Sequence, residues 1–202
     1  MKVFDKEEID FIKDLFKGFD KKDLFLVHGD CYYANCMYSE FLKSLTYIDF
    51  EYSCLNPFVS DIANIANESV FDYTVKNYPY YSYTPKKYTS DNDLREMIRA
   101  LVCFWDNKGL RFKSENADEF ESQLRNCKEF YNVDEKVIEH HLLILKKVAI
   151  HINFYYVLWT LWDLRNTEIE LDYVLYARDR ARAYMDSKEK YFKYLKETGS
   201  MI

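Results

Sequence analysis

Glycine and proline are scarce in this chain, four and three among 202 residues. A sequence so poor in the two strongest breakers of regular structure does not read as a turn-rich, all-β fold. It reads as a mostly helical body with few turns. An excess of basic charge is missing too. Lys and Arg number 28 against 34 Asp and Glu, giving a net charge of −6, and the basic face that a nucleic-acid partner requires is not expected. The five cysteines, Cys31, Cys36, Cys54, Cys103 and Cys127, contain no C-x-x-C pair. Their odd number fits free thiols in a reducing compartment better than a disulfide framework or a zinc site. The N-terminal MKVFDKEEIDFIK lacks the apolar core and small-residue cleavage site of a secretory signal. The most apolar later stretch, Val148 to Trp162, is interrupted by His151 and Asn153 and is short for a bilayer span. A cytoplasmic protein with no membrane span is the expectation.

What is present is a globular composition, 49% hydrophobic and 31% charged, with an aromatic content of 18% that includes 19 Tyr. No internal repeat or flexible linker divides residues 1–202, which read as one unit. Apolar residues at helical spacing (Ile9, Ile12, Leu15, Phe16) predict a helix over 5–17. Leu24 to Val27 reads as a short buried strand. Two further strands, around Cys36–Tyr38 and Leu45–Ile48, form a hairpin that turns over Ser39–Ser44 and delivers Asp49 at its end. Asp61 is expected to N-cap a helix over Ile62–Val70. Residues 76–93 read as a tyrosine-rich loop. Helices are expected at about 93–106, 115–130, 134–164 and 170–196. The last places Tyr173, Tyr176, Ala177, Arg180, Ala181 and Tyr184 on one face. The fold class is therefore α+β, mostly α, with a small β-hairpin.

The chemistry concentrates in residues 24–70. His28, Asp30 and Asn35 stand in the spacing H-x-D-x-x-x-x-N, and Asp49 follows in IDFE, with Glu51 two residues on. A phosphotransferase needs one carboxylate near the acceptor hydroxyl and two oxygen ligands for magnesium. Asp30, Asn35 and Asp49 supply those groups, and strand pairing would gather them. His140, His141 and His151 do not suggest a metal site, because adjacent histidines on a helix point apart.

The stretches VHGDCYYANCM and YIDFEYSCLNPFVSDIANIANES together resemble the catalytic segment of the choline/ethanolamine kinase family, in the protein-kinase-like superfamily. FYYVLWTLW (Phe154 to Trp162) is similar to that family's paired-tryptophan helix, and LDYVLYARDRARAY (Leu171 to Tyr184) to its closing helix. The resemblance implies ATP-dependent phosphorylation of choline or ethanolamine, a step in phosphatidylcholine or phosphatidylethanolamine synthesis. It implies Asp30 as catalytic base, and Asn35 and Asp49 on magnesium with Glu51 as a further carboxylate. His28 and Asp61 would be structural braces. Tyr73, Trp159, Trp162 and Tyr176 would form an aromatic box for the amine, in which Glu68 is the acidic member. A quaternary ammonium has no N–H to donate, so aromatic faces and a nearby carboxylate suit it.

The resemblance also implies a nucleotide-binding N-terminal lobe with a glycine-rich loop and a strand lysine. Only 27 residues precede His28, and the expectation is a kinase-like C-terminal lobe without that partner lobe. Substrate-pocket helices would occupy 134–196. Two other readings stay open: a non-catalytic amine-binding protein, and an aminoglycoside-type small-molecule phosphotransferase. A homodimer is among the assemblies left open.

Overall fold

The computed structural model describes residues 5–17, 19, 24–42, 44–106, 122–123, 127, 130, 132–164 and 171–199. Five helices of eight residues or more carry the fold among these. Helix α1 (Lys6–Leu15) begins where the Asp5 carboxylate accepts from Glu8 N–H at 2.9 Å, satisfying one of the orphan donors of the first turn. It buries Ile12 and Leu15. Helix α2 (Ser60–Glu68) and α3 (Asp91–Asp106) pack against the central helix α4 (Glu135–Asp163). Helix α5 (Tyr173–Thr198) lies along α4. The Asp134 and Asp172 carboxylates cap α4 and α5, and α5 stops at Gly199 with φ +68°.

Among the described residues, three two-stranded antiparallel sheets accompany the helices. Strand β1 (Leu24–Val27) pairs with β4 (Cys54–Pro57), with Val27 opposite Cys54. Strands β2 (Cys36–Ser39) and β3 (Ser44–Tyr47) form the expected hairpin, Cys36 opposite Tyr47. Strands β5 (Phe71–Asp72) and β6 (Ser82–Tyr83) make a smaller pair. The α+β, mostly helical class expected from glycine and proline scarcity is what forms.

Several boundaries differ from the sequence expectation. Strand β3 ends at Tyr47, so Asp49 follows the strand in a left-handed conformation, φ 66°. Helix α2 starts at Ser60 with Val59 as its N-cap. Asp61 lies inside the first turn, and its carboxylate is spent on another segment rather than on its own helix. The tyrosine-rich stretch contains β6 and a short 3₁₀ turn, Pro85–Lys87, and α3 opens at Asp91. The helix expected at 115–130 falls almost wholly outside the described residues.

The core follows from helical periodicity. Val59, Ile62, Ala63 and Ala66 meet Leu94, Ile98 and Val102 from α3, and Ile138, Leu142 and Leu145 from α4. A second cluster joins Ile12 and Leu15 to Ile150, Phe154, Val157 and Tyr184. Burying a side chain of this size stabilises the fold by about 1.5–3 kcal/mol. By length and composition α4 is apolar enough to cross a membrane, since the helix runs well beyond the Val148–Trp162 stretch. More than half of its most apolar window is buried within this fold. His151 faces Phe16 at 5.1 Å, ring edge to face, and burial pulls its pKa below the usual range. It is a packed core histidine. Among the described residues no group of three or more His, Cys, Asp or Glu is placed to hold a metal.

Candidate active site

The peptide His28–Gly29 is held on every side. The Asp61 carboxylate accepts from His28 N–H at 2.9 Å and from Gly29 N–H at 3.0 Å. Asn64, one turn later on α2, donates to the Gly29 carbonyl at 3.1 Å, and Ser53 Oγ donates to the His28 carbonyl at 3.2 Å. His28 is buried among Phe50 and Tyr47 rings. Its Nε2 lies 2.8 Å from the Ile48 carbonyl, which can only accept, so Nε2 carries the proton. That leaves Nδ1 to accept from Asp30 N–H at 3.3 Å. The imidazole thus ties the backbone of Asp30 to the residue before Asp49.

Gly29 has φ +84°, and a Cβ there would sit 2.2 Å from the Tyr52 carbonyl oxygen. Both the left-handed backbone and the close approach demand glycine. Gly29→Ala is expected to cost about 2 kcal/mol or more, read as a lower urea midpoint at unchanged m-value. An unchanged midpoint would show that the loop relaxes freely.

Asp30 receives one donor on each carboxylate oxygen. Asn35 Nδ2 donates to Oδ2 at 2.8 Å and to the Asp30 carbonyl at 2.9 Å. Tyr156, from α4, donates its hydroxyl to Oδ1 at 2.8 Å. With its nitrogen facing Asp30, the Asn35 amide has its oxygen turned away. Ile48 N–H donates to the Asn35 carbonyl at 3.0 Å, which brings the backbone of Asp49 beside Asn35. Asp49 and Glu51 are exposed. Asn35 Oδ1 and the Asp49 carboxylate are hard oxygen donors on adjoining segments, a set that fits magnesium. Burial pushes the thiol of the neighbouring Cys31 up to about 11.

Behind Asp30 lies the aromatic cluster. Sequence reasoning placed Glu68, Tyr73, Trp159, Trp162 and Tyr176 there as a box for an external cation. The structure brings Glu68, Tyr73 and Tyr176 together. Tyr73 donates to Glu68 Oε2 at 2.8 Å, and the two tyrosine oxygens lie 2.8 Å apart. Trp159 is half-buried against the same cluster, 6.4 Å from the Tyr173 ring. Trp162 does not join it and is 79% exposed.

The cluster also holds a cation of its own. Arg180 is fully buried, and its Nη2 sits 2.5 Å from Glu68 Oε1 and 2.8 Å from Tyr73 Oη, with Nε 2.8 Å from Tyr176 Oη. Its Cζ lies 3.9 Å from the Phe71 ring centroid and 4.0 Å from that of Tyr156. Glu68, 4% exposed, therefore faces a guanidinium rather than open pocket. A carboxylate at that depth is costly unless paired, and the fold supplies the pair. Burial opposes the charge on Arg180, yet Glu68 and the surrounding tyrosines hold its pKa well above the ordinary arginine value. Burial raises the Tyr73 and Tyr156 phenols well above 10 and Tyr176 to about 12, so all three remain neutral.

Sequence reasoning missed three contributors. Arg180 follows Tyr176 by four residues, one helical turn on the face already singled out. Tyr156 precedes Trp159 by three. Asn64 follows Asp61 by three, within the D-I-A-N stretch.

The sequence model of the choline/ethanolamine kinase family matches residues 3–185. The chain belongs to the choline/ethanolamine kinase family. Among curated relatives, choline kinase alpha of Mus musculus is 27% identical over 188 residues, covering 91% of this chain and 38% of the relative. Probable choline kinase 2 of Arabidopsis thaliana is 28% identical over 166 residues, covering 81% of this chain and 39% of its own length. The chain thus spans about two fifths of the length of these choline kinases. A solved choline kinase from Cryptosporidium parvum superposes with a TM-score of 0.61 at 19% identity. That superposition covers 97% of this chain and 45% of that one, so the fold described above is shared with part of that kinase.

Proposed function

We propose that this chain is the catalytic and acceptor-binding part of a kinase that phosphorylates the hydroxyl of choline or ethanolamine with ATP as donor. The observation that carries the reading is the Asp30 carboxylate, set by Asn35 and Tyr156 beside an aromatic cluster already built around a cation. Asp30 takes up the proton of the acceptor hydroxyl, a role typically worth about 10²–10⁴-fold in rate. Asn35, through its oxygen, and Asp49 are the residues assigned to magnesium, with Glu51 as an additional carboxylate. When bound, the ion would neutralise charge on the phosphates. His28 and Asp61 brace the loop and touch no substrate.

For the amine, Tyr73, Trp159 and Tyr176 offer aromatic faces. Glu68, the acidic member of this box, is paired with Arg180. The kinase reading includes a second, nucleotide-binding portion of the fold, as the length of the relatives suggests. It also includes a cytoplasmic location.

The test is a substrate panel. With ATP and magnesium, the chain joined to that nucleotide-binding portion should convert choline or ethanolamine to the phosphorylated amine by ³¹P NMR, and an aminoglycoside such as kanamycin should yield none. Trp159→Ala should raise the amine KM by roughly three- to thirtyfold, the range of a cation–π contact. Phosphorylation of the aminoglycoside alone would move the reading to the wider phosphotransferase class. Amine binding without phosphate transfer would move it to a binding protein.

A further inference from the structure

We propose that Tyr156 is a positioning residue for the phosphoryl-transfer reaction: its hydroxyl fixes the plane of the Asp30 carboxylate. The proposal rests on the kinase reading above and extends it to a residue that neither motif nor composition marks.

A carboxylate held by one donor turns about its Cβ–Cγ bond, and its proton-accepting lone pairs turn with it. Asn35 alone provides such a single point on Oδ2. Tyr156 supplies the second on Oδ1 at 2.8 Å, and two donors on two oxygens remove that rotation. The anchor comes from outside the loop. Tyr156 sits on α4, 126 residues along the chain from Asp30, so Asp30 is registered against the helical core as well as against its own turn.

Tyr156 is itself immobilised. The Arg180 guanidinium lies 4.0 Å from its ring centroid. One turn later on the helix, the buried Thr160 hydroxyl donates to the Tyr156 carbonyl at 2.6 Å. The phenol keeps its proton, because burial and then the Glu68 charge push its pKa well above 10. It therefore donates to Asp30 throughout the working pH range and does not compete as a base. Orientation is its whole contribution, and orientation is expressed in turnover more than in substrate affinity.

Tyr156→Phe isolates that contribution, since the ring that packs against Arg180 stays and only the oxygen goes. Tyr155→Phe, on the adjacent exposed residue, is the control. With ATP, magnesium and choline or ethanolamine, kcat of Tyr156→Phe should fall about tenfold or more, the worth of one hydrogen bond to a charged group. The amine KM should stay within about twofold, because that oxygen is engaged by Asp30 rather than by the amine. Tyr155→Phe should match the native protein in both constants. Equal kcat in native protein and Tyr156→Phe overturns the positioning role and leaves the kinase reading standing. A rise in KM at constant kcat also overturns it, by making Tyr156 a substrate contact. Absence of turnover in the native protein joined to its nucleotide-binding portion, with choline and ethanolamine both tested, overturns the kinase reading and this proposal with it.

Discussion

Arg180→Met should lower stability by about 3–5 kcal/mol, the cost of leaving a buried carboxylate without its partner. For a chain of this size that corresponds to a fall in thermal midpoint of roughly 6–20 °C. Glu68 keeps the Tyr73 hydroxyl as a donor in the variant, but one neutral donor does not replace a guanidinium at 2.5 Å. The rings of Phe71 and Tyr156, now about 4 Å from Arg180 Cζ, lose a cation–π partner as well. The decisive measurement is the double-mutant cycle with Glu68→Gln. Neutralising the carboxylate in the Met background should recover a large part of the loss, because the unpaired charge is the main penalty. Additive losses in the two variants would show that Arg180 stabilises by packing alone.

Asp30→Asn should reduce turnover by about 10²–10⁴-fold while leaving the fold intact. The replacement is compatible with the surrounding donors. Its oxygen can accept from Asn35, and its amide nitrogen can donate to the Tyr156 oxygen, which has free lone pairs. The amide has no basicity to offer the acceptor hydroxyl. The expected result is a collapse in kcat with an unchanged thermal midpoint, measured side by side on the same preparation. Turnover within a factor of a few of the native protein would remove Asp30 from the chemistry and leave positioning and charge neutralisation as its mechanism.

The parts of this structure that were legible in the sequence are those written in local pattern. Helix α1, strand β1 and the β2–β3 hairpin follow from apolar periodicity and strand propensity over a few residues, although β1 buries only Val27 and leaves Leu26 78% exposed, against the expected buried strand. The long α4 and α5 emerge within a few residues of their expected ends for the same reason. Asp61 shows where that reasoning stops. An aspartate at a helix start has a strong local explanation as a cap, yet its carboxylate serves two backbone N–H groups more than 30 residues earlier. Glu68 shows the same limit in the pocket. The aromatic and acidic positions were readable, but the cation that fills them comes from Arg180, 112 residues away. A tertiary ion pair leaves no periodic trace. Trp162, three residues from Trp159, shares its side of α4 in projection but is 79% exposed, although Tyr156 and Trp159, at the same spacing, both reach the cluster.

Helix α2 has a mechanical consequence. Along nine residues it grips the catalytic peptide through Asp61 and Asn64, α4 through the Asn67 amide on the Ala149 carbonyl, and α5 through Glu68. It works as a common axle: a slide or tilt of α2 carries the base, the tyrosine-bearing helices and the internal arginine in step. On the kinase reading, holding the acceptor and activating it would therefore rest on one shared support and keep a single alignment.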